Sequence, residues 1–488
     1  MEKFAKKWAE EATARGGLDV SAGVELGGVA FVRSGAGEEE KNEMMMMMSR
    51  GRRRGRVGLR ATNAPVEMME PYVRVRWNET LHASRYEPTV GLGAALAALR
   101  SEYGNDEKTA LMLCLLYEKY ELGEKSAYMD YFRAMPEEFD TPAFWSETTA
   151  KELRGSDVYE KDIVEEYQLL NKVWNGLRRR VFDVYTDVFT RESSKSLYAL
   201  RWAWGVVHAR AVRVSGKDGL ALVPVVDMIQ ECGKDEKSAA MRGGGEEEND
   251  DDEDESYDGS DTEAKASLEA GFAVYDKHTD TVVVYAKRDY APNEEMCEHY
   301  GAWNNGESLQ HFGYLPDVDE DDTRNCVLFV LEPPKKYAES VRKAGYEVPW
   351  RVCVPLSPTQ ASLEVLAAYA ELASGRTVDV DDAGAPRHVS QVGVKEMFKE
   401  RLARYPTTLD QDEYGIRVME DAQRDFARAI NRDDTPIIER ARLELKLQES
   451  RHSALAIELR AREKRIIHRL VERVSYLDEL AQAVKDEL

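Results

Sequence analysis

The sequence predicts an α+β protein in which strands, a helical insertion, further strands and a helical C-terminal region follow one another. Val73, Val75 and Trp77 alternate with arginines, the period-2 pattern of a half-buried strand. Apolar residues at three- and four-residue spacing predict helices across 91–180. Strand patterns return at 271–289, so we expect helices to interrupt one antiparallel sheet.

The remaining segments each carry a local signal, taken in chain order. A short helix is expected at Phe4–Ala12. Pro136 and Pro142 interrupt the insertion, and two further helices are expected at 163–182 and 196–212. The almost wholly apolar run ALVPVVDMIQ is typical of a strand.

The second half begins with strands and continues with helices. His278, Thr279 and Asp280 separate two extended runs and predict a hairpin turn. Beyond Pro333 the pattern is mostly helical, ending in a charged, amphipathic stretch from 436 to 488 that lacks the sustained heptad of a coiled coil.

Composition excludes several classes of protein. The 488 residues allow two to four structural units, and the net charge of −24 disfavours nucleic-acid binding. The segment 233–266 is expected to be an acidic disordered loop, because twelve of the eighteen residues from Glu246 to Glu263 are acidic. We expect neither a membrane span nor a secretory signal, because no apolar run is long enough and the N-terminus lacks an apolar core.

The five cysteines are scattered and form no CxxC pair. This spacing predicts no metal site and no disulfide framework, and it fits a reducing compartment. We therefore expect an intracellular protein, cytoplasmic or nuclear, with a chloroplast or mitochondrion remaining open.

Several motifs occur in a fixed order along the chain: GRVGLRAT at 55–62, LYALRWAWGVVHARAV at 197–212, LVPVVDMIQE at 222–231 and EHYGAWNNGESLQHFGYLP at 298–316. In order and content they resemble the SET-domain proteins of the Rubisco large-subunit methyltransferase-like family. The stretch at 123–145 resembles that family's helical insertion, and parts of 404–467 resemble its helical substrate-binding domain.

The resemblance implies a SET β-fold interrupted by a helical insertion and followed by an all-α C-terminal domain. The boundaries it suggests are 1–95 for the first part of the SET domain, 96–195 for the insertion, 196–332 for the second part and 333–488 for the substrate-binding domain. The implied activity is S-adenosylmethionine-dependent methylation of a side chain of a non-histone protein, most simply a lysine. Histidine acceptors remain open, and a monomer is expected.

The resemblance also assigns roles to residues. Tyr300 falls at the family's catalytic tyrosine, and Phe312 and Tyr314 fall where aromatic rings meet the acceptor side chain. The remaining matches fall on the cofactor site: Gly58, Leu59, Ala61, Arg210, Asp227, Gln230, Glu231 and again Tyr300. A phenol oxygen can accept weak C–H hydrogen bonds from a polarised methyl group, and a guanidinium can bind a carboxylate.

Four positions depart from the family pattern. Arg56 stands where the cofactor loop normally has its first glycine, and Gln230-Glu231 replaces the usual Asn-His. These changes predict weaker cofactor binding or none. Asn293 replaces a turn glycine, with little expected consequence because asparagine tolerates positive φ.

Three hypotheses therefore follow. The first is an active protein methyltransferase, supported by the retained Tyr300, Arg210, Asn305 and Phe312. The second is a catalytically degenerate SET protein that serves as a protein-binding scaffold, supported by the altered cofactor motif and the acidic segment. The third is an unrelated helical scaffold with chance motifs.

Overall fold

The structure is a computed structural model. It describes residues 2–14, 18–20, 24–28, 57–61, 65–103, 106–232, 273–298, 300–301, 303–316, 322–335, 338–339, 348–375, 379–380, 386–387, 393–432 and 434–487. Arg56 and the acidic segment 233–266 lie outside the described residues. The chain divides into two compact units: the described residues up to Phe139 with Gln168–Gly301, and 140–167 with the described residues from 303 onward.

The described strands of the first unit are β1 (Leu18–Val20), β2 (Val24–Gly28), β3 (Val57–Ala61), β4 (Pro71–Arg76), β5 (Leu81–His82), β6 (Val212–Arg213), β7 (Leu220–Leu222), β8 (Gln230–Glu231), β9 (Val274–Asp276), β10 (Thr281–Tyr285) and β11 (Glu295–Glu298). They form three small sheets, with the orders β1-β4-β10-β9, β2-β3-β11-β8 and β5-β7-β6. The expected return to the sheet after the insertion is confirmed, because β10 pairs antiparallel with β4.

The alternation in β4 has the expected cause. Val73 and Val75 are fully buried, whereas Trp77 lies beyond the strand in a short 3-10 turn. The hairpin between β9 and β10 is also confirmed, and Asp280 in its turn has a positive φ of 54°.

The apolar run Ala221–Gln230 is not one strand, and that prediction is wrong. It is divided into β7, a 3-10 turn at Val226–Met228 and β8. Pro224 cannot donate to a strand ladder, and Val225 adopts a φ of 75°, which breaks the extended backbone. The run is still buried, which explains its composition.

Helices fill the predicted insertion. The helices before residue 212 are α1 (Glu2–Ala14), α2 (Leu92–Tyr103), α3 (Glu107–Leu116), α4 (Met129–Ala134), α5 (Glu147–Ala150), α6 (Val164–Leu177) and α7 (Leu197–Arg210). The side chains of α3 are buried from Thr109 to Leu116. Such an all-round apolar helix belongs inside a core.

The second unit is mainly helical, and it also contains two small two-stranded sheets. Its later elements are α8 (Asn305–Phe312), β12 (Cys326–Leu331), β13 (Trp350–Pro355), α9 (Gln360–Ala373), β14 (Asp379–Val380), β15 (Pro386–Arg387), α10 (Val394–Arg404), α11 (Leu409–Ile430) and α12 (Ile437–Glu487). Its core packs β12 and β13 against α9, α10 and α12 through Val354, Leu366, Phe398 and Ile467.

Buried charges connect the helices of the second unit. The Asp412 carboxylate on α11 lies 2.7 Å from the Arg460 guanidinium and 2.6 Å from the Lys464 ammonium, both on α12. All three side chains are at most 6% exposed. Loss of one member would leave a buried charge without its partner, which costs more than the loss of an exposed ion pair.

The expectation that the chain forms no disulfides is wrong. Cys232 is bonded to Cys297, and Cys326 is bonded to Cys353, while Cys114 is free and buried. The partners are 65 and 27 residues apart in sequence. Sheet pairing brings them together, so a search for closely spaced cysteines could not find them.

Candidate active site

The second sheet brings three of the predicted site segments side by side. β3 pairs antiparallel with β11, with Leu59 opposite Met296. On its other side β11 pairs in parallel with β8, with Cys297 opposite Gln230 and Glu298 opposite Glu231. The chain therefore leaves β11 towards Tyr300 between the predicted cofactor loop and the predicted cofactor strand.

Tyr300 is half-buried and lies two residues beyond β11. Its hydroxyl donates a hydrogen bond of 2.5 Å to the carbonyl oxygen of Ile229, the residue before β8. Gly301 follows with a φ of 119°, a conformation that a side chain would disfavour. The phenol is thus held against the chain that carries the altered motif.

Arg210 and Asp227 form one buried ion pair. A guanidinium nitrogen of Arg210, the last residue of α7, lies 2.8 Å from a carboxylate oxygen of Asp227. The Asp227 side chain is 0% exposed and that of Arg210 is 15% exposed. Burial works to lower the pKa of Arg210, but Asp227, Tyr131 and Tyr300 together outweigh it, so the pKa is raised. Asp227 therefore braces Arg210.

Tyr131 on α4 completes this group, and sequence reasoning missed it. The ring is fully buried, and its hydroxyl lies against the Asp227 carboxylate. Burial and the neighbouring carboxylate both raise the pKa of Tyr131, so it stays a neutral donor. It falls inside the motif at 123–145, yet nothing in that motif marks a tyrosine as a partner of Asp227.

The first residue of the altered motif makes a local hydrogen bond. The amide nitrogen of Gln230 donates a 2.8 Å hydrogen bond to the carbonyl oxygen of Met228, within its own turn. Glu231 lies half-buried beside Glu298 on the neighbouring strand. Gln230 thus uses an amide proton to stabilise the end of the 3-10 turn.

Glu298 is a second feature that sequence reasoning missed. Its side chain is 1% exposed, and its oxygens lie 3.3 Å from the Tyr72 hydroxyl and 3.5 Å from the Lys287 ammonium. Burial raises the pKa of Glu298 to about 7, although Lys287 and Tyr72 act against it. The sequence around Glu298 is typical of a strand and does not indicate that this carboxylate is buried.

The predicted cofactor loop is part of the sheet. Leu59 and Ala61 are fully buried, and Gly58 pairs with Gly27 of β2. The amide nitrogen of Ala61 donates to the carbonyl oxygen of Glu294, and its carbonyl oxygen accepts from Asn293. Asn293 has a φ of 67°, as expected for a replacement of glycine.

The two predicted acceptor-site aromatics lie in the second unit, at the end of α8. The Phe312 ring lies 6.2 Å from the Tyr314 ring and 6.0 Å from the Trp303 ring, and His311 lies 5.2 Å from Trp303. Gly313 between them has a φ of 72°, and a Cβ there would meet the backbone of Asp140 at 2.5 Å. Only glycine can end this helix and present both rings.

The motif residues before Phe312 build the helix that carries it. Asn304 caps α8 by accepting from the backbone of Glu307, whose carboxylate accepts from the backbone of Asn304 in return. Asn305 is fully buried and bonds to Asn325 and Arg462. This asparagine therefore has a structural role in the second unit.

In the first unit, Tyr300 contacts Ile229, the residue before β8. Asp227, which holds Arg210, lies two residues before Ile229 in the chain. Arg210 adds a positive charge beside Asp227, and Glu231 adds a carboxylate on β8. Within the described ranges, no group of three or more His, Cys, Asp or Glu side chains could hold a metal ion. No helix in those ranges is both long and apolar enough to cross a membrane.

The architecture is the SET-domain fold of Rubisco LSMT, as the motif resemblance predicted. The SET domain of LSMT bound to lysine and AdoHcy superposes with a TM-score of 0.63 over 98% of this chain and 92% of that chain, at 15% sequence identity. The expected α+β class with a helical C-terminal region is confirmed.

Among characterised proteins, the chain is similar to the chloroplastic fructose-bisphosphate aldolase-lysine N-methyltransferase of Arabidopsis thaliana, with 28% identity over 152 residues, 31% of this chain and 28% of that protein. It is also similar to the actin-histidine N-methyltransferase of Gallus gallus, with 22% identity over 363 residues, 71% of this chain and 52% of that protein. The chain thus spans about half the length of these relatives or less. No protein-family model matches the chain.

Proposed function

We propose that this protein is an S-adenosylmethionine-dependent protein methyltransferase that modifies a lysine of a non-histone protein. The observation that carries the proposal is the 2.5 Å bond from the Tyr300 hydroxyl to the carbonyl oxygen of Ile229, which holds a phenol at the end of β8. Both curated relatives are protein N-methyltransferases, one for lysine and one for histidine.

S-adenosylmethionine supplies an electrophilic methyl group on a positively charged sulfur. The residues of this chain would bind and orient it. Arg210 would hold its carboxylate, with the Arg210 side chain fixed by Asp227. Gly58, Leu59 and Ala61, together with Gln230 and Glu231, would line the rest of the site, and the Glu231 carboxylate would favour the sulfonium charge.

Tyr300 would act on the reacting groups. Its oxygen would accept weak C–H hydrogen bonds from the methyl group and orient the attacking amine. The ordinary pKa of lysine is about 10.4, so the amine must lose a proton before it attacks. Phe312 and Tyr314 would hold the acceptor side chain against the faces of their rings.

A titration tests cofactor binding directly. The purified chain is titrated calorimetrically with S-adenosylmethionine, and Tyr300→Phe is compared with wild type in binding and in methyl transfer. We expect measurable binding in both and a loss of at least about a hundredfold in transfer for the variant, because the lost hydroxyl acts in the transition state. Equal transfer rates would remove Tyr300 from the mechanism.

One observation favours a second candidate, a protein-binding scaffold without catalysis. Gln230, at the position of the family's asparagine, donates to Met228 within its own turn. Absence of any heat or thermal shift at millimolar S-adenosylmethionine would support the scaffold. Binding with transfer to a protein would reject it.

We further propose that the chain acts as a monomer on a protein substrate inside the cell, in the cytoplasm, the nucleus or an organelle; a chloroplastic relative supports the last. The boundaries 1–95, 96–195, 196–332 and 333–488 remain our proposal for the domains. Mass spectrometry of a cell extract incubated with isotope-labelled S-adenosylmethionine, with and without the protein, would identify the target and separate lysine from histidine acceptors.

A further inference from the structure

A disulfide joins the two strands that lie nearest to Tyr300. Cys232 follows β8 directly, and Cys297 lies in β11, three residues before Tyr300. The two strands share only two pairs of opposed residues. The backbone N–H of Cys232 adds a 3.1 Å hydrogen bond to the carbonyl oxygen of Glu298. The covalent bond therefore reinforces a very short strand pair.

The two ends of the bond are held differently. Cys297 is 3% exposed, and the buried Tyr290 hydroxyl donates 2.7 Å to its carbonyl oxygen and accepts from its N–H at 3.4 Å. β11 is also paired with β3. Cys232 is 8% exposed and lies at the outer strand of the sheet. Breaking the bond would therefore leave β11 in place and loosen β8.

We infer that the Cys232–Cys297 bond is a reversible oxidation site that controls the affinity for S-adenosylmethionine. The inference rests on the proposed function. With the bond formed, Gln230 and Glu231 stay in register with β11, and the Ile229 carbonyl oxygen stays on the Tyr300 hydroxyl. With the bond broken, no covalent link supports the two-residue strand pair and the Cys232–Glu298 hydrogen bond that hold β8 on β11.

The chemistry is thiol–disulfide exchange with a dithiol reductant. A thiolate of the dithiol attacks one sulfur, and the Sγ–Sγ bond breaks. The second thiol resolves the mixed disulfide. Two electrons and two protons pass to the cysteines, which become thiols, and the dithiol leaves as its own disulfide.

The sequence context supports a role for the bond at this place. Cys232 follows Gln230-Glu231, the pair that departs from the family's Asn-His. Gln230 donates locally to Met228. A covalent link at the next residue holds this altered segment against the strand that leads to Tyr300.

The test uses the full chain, purified without reductant and then split into oxidised and dithiothreitol-reduced samples. Peptide mapping by mass spectrometry shows which cysteines are linked. Calorimetry measures the Kd for S-adenosylmethionine, and hydrogen exchange measures protection of peptides covering 226–232 and 295–301. The variants are Cys232→Ser and, as a matched control that removes the other disulfide, Cys326→Ser/Cys353→Ser.

We expect reduction to weaken binding at least tenfold in wild type and in the control variant. Cys232→Ser should bind like reduced wild type in both samples. Exchange at 226–232 should rise on reduction, more than at 295–301. Free thiols at Cys232 and Cys297 in the unreduced protein, or unchanged affinity and exchange after complete reduction, would overturn the inference.

The exchange measurement separates this inference from the proposed function. If neither sample binds S-adenosylmethionine, the proposed function fails and control of cofactor affinity fails with it. Faster exchange at 226–232 would then show only that the bond holds β8. If the oxidised protein binds and reduction changes nothing, the redox inference alone fails.

Discussion

The Tyr300 hydroxyl donates to the Ile229 carbonyl oxygen, and the Asp227 carboxylate holds Arg210 from a fully buried position. These two contacts define the candidate site at the scale of single residues. Tyr131 and Glu298 extend it with one buried donor and one buried acid. All of these side chains belong to the first unit, so their spacing is set by one core.

Glu298 carries a prediction for pH dependence. Burial raises the pKa of Glu298 from 4.5 to about 7, so the folded protein keeps a proton that the unfolded chain releases between these values. Its contribution to the free energy of unfolding therefore falls by about 1.4 kcal/mol per pH unit, about 3 kcal/mol in all, as the pH rises from 4.5 to 7. Above pH 7 this loss in the free energy of unfolding stays constant.

Denaturant unfolding at pH 5 and pH 7.5 checks this prediction in wild type and in Glu298→Gln. The decrease in stability between the two conditions should be smaller in the variant by about 3 kcal/mol, because its amide does not titrate. Glu192→Gln, at a side chain that is 91% exposed, serves as the control and should behave like wild type. A Glu298→Gln variant with the wild-type pH dependence would contradict the account.

At the scale of elements, the packing of α7 against Phe139 requires a glycine at position 205. A Cβ on Gly205 of α7 would lie 2.4 Å from the Phe139 ring. A Cβ on Gly415 of α11 would lie 3.4 Å from Ile457, an ordinary contact. The same substitution should therefore have opposite effects in the two helices.

We predict that Gly205→Ala lowers the free energy of unfolding by about 1–3 kcal/mol, because overpacking outweighs the gain in helix propensity. Gly415→Ala should raise it by up to about 1 kcal/mol. Thermal unfolding of both variants against wild type is the measurement. A stabilised Gly205→Ala variant would mean that Phe139 does not pack against α7 as described.

The sequence could predict elements whose signal is local. Val73 and Val75 face the core as their alternation indicated, and the turn at 278–280 follows from its residues. The sequence could not predict contacts made by distant strands. Cys232 meets Cys297 only because β8 pairs with β11, and Pro224 with Val225 breaks a run whose hydrophobicity alone is typical of a strand.

The candidate site was predictable to a similar degree. Motif order indicated Tyr300 and Arg210, which contact Ile229 and Asp227 in the first unit. Their roles in catalysis remain a prediction. Tyr131 escaped because a buried hydroxyl that meets Asp227 across 96 positions leaves no pattern in the sequence. The hydrogen bond from the Gln230 amide to the Met228 carbonyl oxygen could not be predicted either, because it depends on the 3-10 turn before β8.

At the scale of the whole molecule, each of the two units has its own means of cohesion. The first unit combines small sheets, the buried helix α3 and the Cys232–Cys297 disulfide. The second combines an apolar core, the Cys326–Cys353 disulfide and a buried charge network, with Asp412 between Arg460 and Lys464. Burial lowers the pKa of Lys464, and Asp412 opposes this effect.

Asp412→Ala should lower the free energy of unfolding by about 3–5 kcal/mol, because it leaves two buried cations without their shared carboxylate. The neighbouring Glu413→Ala is the matched control. It removes a pair with Arg465 in which both side chains are more than a third exposed, and it should cost less than about 1 kcal/mol. Chemical denaturation measures the free energy of unfolding of both variants. An equal decrease in the two would contradict a special role for the buried network.

The proposed methyltransferase activity can be tested by measuring methyl transfer to protein. A cell extract is incubated with isotope-labelled S-adenosylmethionine and either wild type, Tyr300→Phe or Arg210→Ala, and modified peptides are identified by mass spectrometry. We expect a labelled lysine in one protein with wild type and very little label with either variant. Label on no protein despite saturating cofactor, or equal label with Tyr300→Phe, would contradict it.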